Sequence, residues 1–165
     1  MNKKMIVTPV AVLLCIVMLG SFAAPITAQS ADTADTPIQP TRNYTYIDNV
    51  ISSHNVISPN YIKAGDGVYA WFCGKGSSDP AMLIGQLNTV AYKGSEIMVK
   101  GYGTYGSVSV RVFIGTSSSS LTLFATRTFS GTPAATYNFG AIPKDITYVA
   151  ISIDGDADID WLFTS

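Results

Sequence analysis

Four aspartates take every second position near the end of the chain, in the stretch SIDGDADIDWLF: Asp154, Asp156, Asp158 and Asp160. Carboxylates are hard oxygen donors, and calcium loops draw ligands from alternating positions with a kink glycine at the sixth and a bidentate glutamate at the twelfth. With Asp154 first, Asp156 and Asp158 fall correctly, but Ile159 stands at the sixth position and Ser165 at the twelfth. No flanking helical period is present either. The favoured reading is a β-hairpin: Asp154-Gly155 makes a tight turn, and Asp158 and Asp160 alternate with Ile159 and Trp161, pointing to water. The second reading keeps a weak, solvent-exposed calcium site at Asp154, Asp156 and Asp158, since carboxylates select a hard cation over zinc.

Aromatic side chains offer a different chemistry. GYGTYG, residues 101–106, reads as a glycine-rich turn at the mouth of the valine strand that carries Tyr102 and Tyr105, and Trp71 stands in VYAWF. Flat rings stack on the apolar faces of sugars while nearby hydroxyl and carboxylate groups fix their orientation. Tyr102, Tyr105 and Trp71 are therefore the candidate ligand-binding residues. The competing reading has the tyrosines covering the end of the fold and Trp71 packed in the core.

Catalytic arrangements are poorly supplied. His54 is the only histidine and Glu96 the only glutamate. His54 lies among Ser52, Ser53 and Asn55, where a surface or turn position is expected, and no Gly-x-Ser-x-Gly elbow accompanies the serines. The GKGSSD stretch, 74–79, lacks the ending of a phosphate loop and a following helix. No catalytic residue is assigned, and a small hydrolase is the weakest of the functional alternatives.

The compartment follows from the start of the chain. MNKK is positive, the next stretch to Ala28 carries no charge, and it ends in small residues. That pattern predicts a signal peptide over 1–28, cut after Ala28 or Ala24, with an uncleaved anchor as the alternative. Cys15 lies inside the leader, which leaves Cys73 alone in the mature chain, without an intrachain disulfide. Residues 29–42, QSADTADTPIQPTR, have little to bury and read as a flexible linker. Asn43-Tyr44-Thr45 is a sequon, making Asn43 a candidate glycosylation site. With no basic stripe, nucleic acid is not an expected partner. A membrane is expected only through an uncleaved leader.

From 43 to 165 the pattern is strands and turns. SVSVRVFIG, 107–115, puts Val108, Val110 and Val112 on one face, and LTLFATRTF, 121–129, follows across GTSSSS as a hairpin partner. TYVAISI, 147–153, presents Val149, Ile151 and Ile153 together; DIDWLF, 158–163, presents Ile159, Trp161 and Phe163. Shorter strands are expected at 45–51, 67–72, 81–87, 95–101 and 135–140. Eight or nine strands without helices predict one all-β domain, an antiparallel two-sheet sandwich.

The order of the pieces resembles the galactose-binding-like jelly roll of discoidin-type domains found in bacterial and archaeal surface proteins. The resemblance spans 58–163. It rests on Ala-x-Asp-Gly-x-Tyr-Ala at 64–70, the apolar strand AMLIGQL, the valine strand with its serine turn, and a closing pair in which Tyr148, Val149, Ile151 and Asp158-Ile159-Asp160 take the family places. GTSSSS replaces the Asp-Gly-x-x-Trp turn usual after the central strand. The resemblance implies a jelly-roll fold with ligand loops. Together with the aromatic residues it points to a secreted or cell-surface, non-catalytic module for carbohydrate, glycoconjugate or adhesion. The alternative is a structural cell-envelope component that meets other surface proteins and takes no small ligand.

Overall fold

The computed structural model describes residues 44–63 and 65–165. The expected leader, the linker, Cys15 and the Asn43 sequon lie outside the described residues. Ten strands run in chain order: β1 (Thr45–His54), β2 (Val56–Ile57), β3 (Ala70–Cys73), β4 (Ala81–Ala91), β5 (Glu96–Gly103), β6 (Val108–Gly115), β7 (Thr122–Phe129), β8 (Ala135–Ala141), β9 (Ile146–Ile153) and β10 (Asp156–Thr164). Every described pairing is antiparallel.

The strands form the two layers of a jelly roll. The first sheet has the order β2-β3-β10-β5-β8, and the second β1-β4-β9-β6-β7. β1 belongs to both: Thr45 and Tyr46 pair with the end of β10, while Ile47 onward pairs with β4. Between the layers lies a core that includes Phe72, Leu83, Ile97, Val110, Val112, Phe129, Ile151 and Ile159. Alternation produces it, because successive side chains on a strand point to opposite faces. Val108, Val110 and Val112 turn inward, and β6 pairs with β7 across the serine turn, both as the sequence predicts.

Three features depart from expectation. First, β9 and β10 are not a hairpin. β9 already has β4 on one edge and β6 on the other, so neither edge can accept β10. The chain crosses at Asp154-Gly155 from one sheet to the other, and Gly155 is not among the positive-φ glycines.

Second, β10 contains a bulge between Ile159 and Trp161. A bulge inserts one residue and reverses the phase of all that follow. Ile159 and Leu162 therefore face the core, while Trp161 and Phe163 face outward. Asp160, expected to point to water, is fully buried.

Third, Val56–Ile57 forms a short strand and Pro59–Lys63 a 3₁₀ turn, which sends Ile62 into the core. Neither is visible as a period, because each is too short to repeat one.

Candidate functional site

The register of the first sheet assembles the candidate site. Asp158 of β10 lies opposite Trp71 of β3 on one side and Tyr102 of β5 on the other. Directly opposed residues share a face, with Cβ atoms about 4.5–5.5 Å apart. The neighbours Phe72, Ala157 and Gly103 point into the core, so Trp71, Asp158 and Tyr102 form one row on the outer face. Ile57 of β2 extends the row past Trp71. The indole is 37% exposed, so Trp71 is not a core residue.

The glycines beside Tyr102 have a packing role. A Cβ on Gly101 would stand 2.5 Å from the Asp158 carbonyl oxygen. Only a hydrogen fits there, which lets β5 lie flush under β10 and puts the Tyr102 phenol within reach of Asp158. Tyr102 is a strand residue, in contrast to the turn position that its glycine neighbours suggest.

Hydrogen bonding then ties the row together. The Tyr102 hydroxyl donates to Asp158, and this bond, followed by burial and the carboxylate's charge, pushes the phenol up to about 12. Thr104 Oγ1 donates to Asp158 Oδ2 at 3.4 Å. Tyr69 meets the Tyr102 ring edge-on, with centroids 5.6 Å apart. In the next row Cys73 lies opposite Asp156, and burial, then Asp156, then Asp158 push its thiol upward, so it stays protonated at neutral pH.

Tyr105 stands on the turn after β5, 82% exposed. That turn is held to β10 by Thr104 N donating to Asp156 O at 3.0 Å. The structure thus joins Trp71 and Tyr102 through Asp158, and Tyr105 occupies the adjoining rim.

The expected calcium set is not assembled. Among the described residues no group of three or more His, Cys, Asp or Glu side chains is gathered to hold a metal ion. The crossing at 154–155 is the reason. Asp154 ends the second sheet and is paired with Arg111 of β6, while Asp156 and Asp158 belong to the outer face of the first. A period of two places acids on one face only while the chain stays in one strand.

Asp160 has a structural role that the sequence reading missed. Its Oδ2 lies 3.1 Å from Lys100 Nζ, and its Oδ1 accepts from Gly67 N at 3.2 Å. Burial outweighs both contacts and raises its pKa above the usual carboxylate range. Gly65 and Gly67 adopt φ of 61° and 80°, and Gly65 packs against the Trp161 ring. The Asp66-Gly67 turn is therefore what covers the bulge. The sequence does carry a trace of it: three consecutive apolar residues, Trp161-Leu162-Phe163, cannot all lie on one face.

Two other places have ordered polar or aromatic groups. His54 Nε2 lies 2.7 Å from Asp79 Oδ1, and the His54 and Asn55 hydrogen bonds hold the Asp79 carboxyl below its usual range. His54 is exposed at the end of β1, as expected of a surface position, and Asp79 is partly exposed in the loop between β3 and β4. At the opposite end of the sandwich, Tyr44, Tyr46, Val90 and Tyr92 line an open groove of about 640 Å³. Next to it, Phe163 packs against Tyr44 and Trp161, with centroids 5.0 and 4.1 Å apart.

No protein-family model and no curated protein matches the sequence. Solved structures do match. One is described as truncated AlyQ with CBM32 and alginate lyase domains: 18% identity, TM-score 0.56, covering 73% of this chain and 33% of that one. A pectin-binding carbohydrate-binding module matches at 13% identity and TM-score 0.54, covering 70% of this chain and 88% of its own. The CBM32 of AlyQ in complex with 4,5-unsaturated mannuronic acid matches at 17% and 0.53, covering 72% and 95%. This chain thus spans a third of the two-domain AlyQ chain and nearly all of the isolated modules. At such identities the likeness is one of fold, and that fold is the galactose-binding-like jelly-roll sandwich on which carbohydrate-binding modules are built.

Proposed function

We propose that residues 44–165 are a non-catalytic carbohydrate-binding module carried on a secreted chain. The observation that carries this reading is the cross-strand row Trp71–Asp158–Tyr102 on an open sheet face. A partly exposed indole offers a platform for a pyranose ring. Asp158, pre-oriented by Tyr102 and Thr104, accepts from the sugar hydroxyls, and Tyr105 bounds the site from its turn. Because both carboxylate partners come from the rigid sheet or its adjoining turn, little side-chain freedom is lost on binding. The fold likeness to a pectin-binding module and to a module bound to 4,5-unsaturated mannuronic acid supports a carbohydrate ligand and leaves its charge to the residues of this face.

The arrangement of acids supports a binding role over hydrolysis. Glycoside hydrolysis sets two carboxyl groups on either side of the scissile bond. Asp156 and Asp158 stand side by side on one strand and point the same way, so they cannot flank a bond between them. Secretion rests on the charge and hydropathy of 1–28.

The test is isothermal titration or affinity electrophoresis against a panel of polysaccharides, comparing the wild type with Trp71→Ala. Binding that weakens at least about tenfold in Trp71→Ala, with an unchanged melting temperature, is the expected result. Binding that is indifferent to Trp71 removes the site, and no binding to any glycan removes the function.

A further inference from the structure

We propose that the Trp71 face accepts uncharged glycans and rejects polyuronates. The inference rests on the carbohydrate-binding reading above and adds the charge class of the ligand.

The charges around the row are uneven. Asp158 lies between the two aromatic side chains, and Asp156 occupies the next row on the same face. Asp66 belongs to the adjacent turn, where its carboxylate accepts from Val68 N. On β5 and in the loop after β3, Lys100 is 3.1 Å from the buried Asp160, and Lys75 is close enough to Asp79 to help lower its pKa. Both cations are thus drawn toward other carboxylates. The negative charge at the row is felt by its neighbours, since Asp156 and Asp158 both contribute to raising the Cys73 thiol.

A ring stacked on Trp71 must place its substituents over Asp158. Hydroxyl groups can donate to that carboxylate. A uronate carboxylate can only accept, and it would meet a second acceptor of the same sign at contact distance. Like charges at such a separation cost about tenfold or more in affinity at a protein surface, and salt relieves a part of that. Ion-pair recognition of a uronate would call for an arginine or lysine aimed at the ring, as bidentate carboxylate sites have.

Affinity electrophoresis of the full chain tests this, using gels that contain galactomannan, arabinoxylan or xyloglucan against gels that contain alginate or polygalacturonate, all at one salt concentration. The expected result is retardation by at least one neutral polymer, lost in Trp71→Ala, with at least about tenfold weaker retention on the polyuronates. The double variant Asp156→Asn, Asp158→Asn should narrow that ratio, and raising the salt should narrow it in the wild type. Wild-type retention on a polyuronate equal to or tighter than on every neutral polymer, and dependent on Trp71, overturns the charge class while leaving the carbohydrate reading intact. A ratio unchanged in the double variant overturns the role of the carboxylates. Failure to bind any polymer overturns the binding function itself, and this inference with it.

Discussion

Asp158 and Asp160 stand two residues apart on the same strand and live in opposite surroundings. Asp158 lies on the outer face between Trp71 and Tyr102, accepting from two hydroxyl groups and still open to solvent. Asp160 is sealed beneath the Asp-Gly turn, fully buried, with Lys100 and Gly67 as its partners. One residue of bulge separates the two. The contrast shows that a carboxylate's task here is set by the side of the sheet it faces, since both belong to the same alternating motif.

The largest expected effect lies on the buried side. Asp160→Ala removes the Lys100–Asp160 ion pair and the carboxylate that accepts from the Gly67 amide. A loss of about 3–5 kcal/mol is expected from breaking a buried pair in this way, measured by chemical denaturation. Asp158→Ala, on the open side, should cost under about 1.5 kcal/mol of stability, the worth of the hydrogen bonds it accepts. If the two variants are equally destabilised, the division between a structural and a recognition aspartate fails.

Next in size is the effect on ligand. Trp71→Ala should weaken glycan binding by about 2 kcal/mol, the usual cost of removing a central aromatic contact. Its melting temperature should hardly move, because the indole is partly exposed. A large stability loss would return Trp71 to the packing role that the sequence allows.

A pH comparison sharpens the same contrast. Burial raises the Asp160 pKa above 3.8, so the folded state holds a proton there that the unfolded state has already released. Stability contributed by this group therefore falls as pH rises from 3.8 through the raised folded value, and does not return at neutral pH. Asp160→Asn lacks the titration. The wild-type stability minus that of Asp160→Asn should accordingly decline from pH 4 upward, and a flat difference would contradict the raised pKa.

Tyr102 gives the parallel case at high pH. Its phenol is pushed up to about 12, so the unfolded chain deprotonates first, near 10. The hydrogen bond to Asp158 favours the folded state below pH 10 and is lost as pH climbs to 12. A spectrophotometric titration should lose the ionisation near 12 in Tyr102→Phe. The smallest effect is expected in the distant groove: Tyr92→Ala should change glycan affinity by less than about 0.5 kcal/mol, as surface changes away from a site do.

The valine strand β6, its partner β7 and the inward face of β9 were legible in the residues, because uninterrupted alternation needs no knowledge of neighbours. The identities of Trp71, Tyr102 and Tyr105 were legible as candidates from ring chemistry alone. Their grouping was not, since Trp71 and Tyr102 are linked through Asp158, which the sequence reading had set aside as solvated or given to calcium. The β9–β10 hairpin failed for a related reason: Asp154-Gly155 has the composition of a tight turn, and composition does not reveal that both edges of β9 are occupied.

The residues by themselves determined a β-protein with an apolar face on each strand, because a period of two is a local property of the chain. Only the tertiary structure decided which strands are neighbours, where the bulge falls and hence which aspartate meets water. Register joins positions far apart in the chain, and one added residue turns every later side chain to the other face.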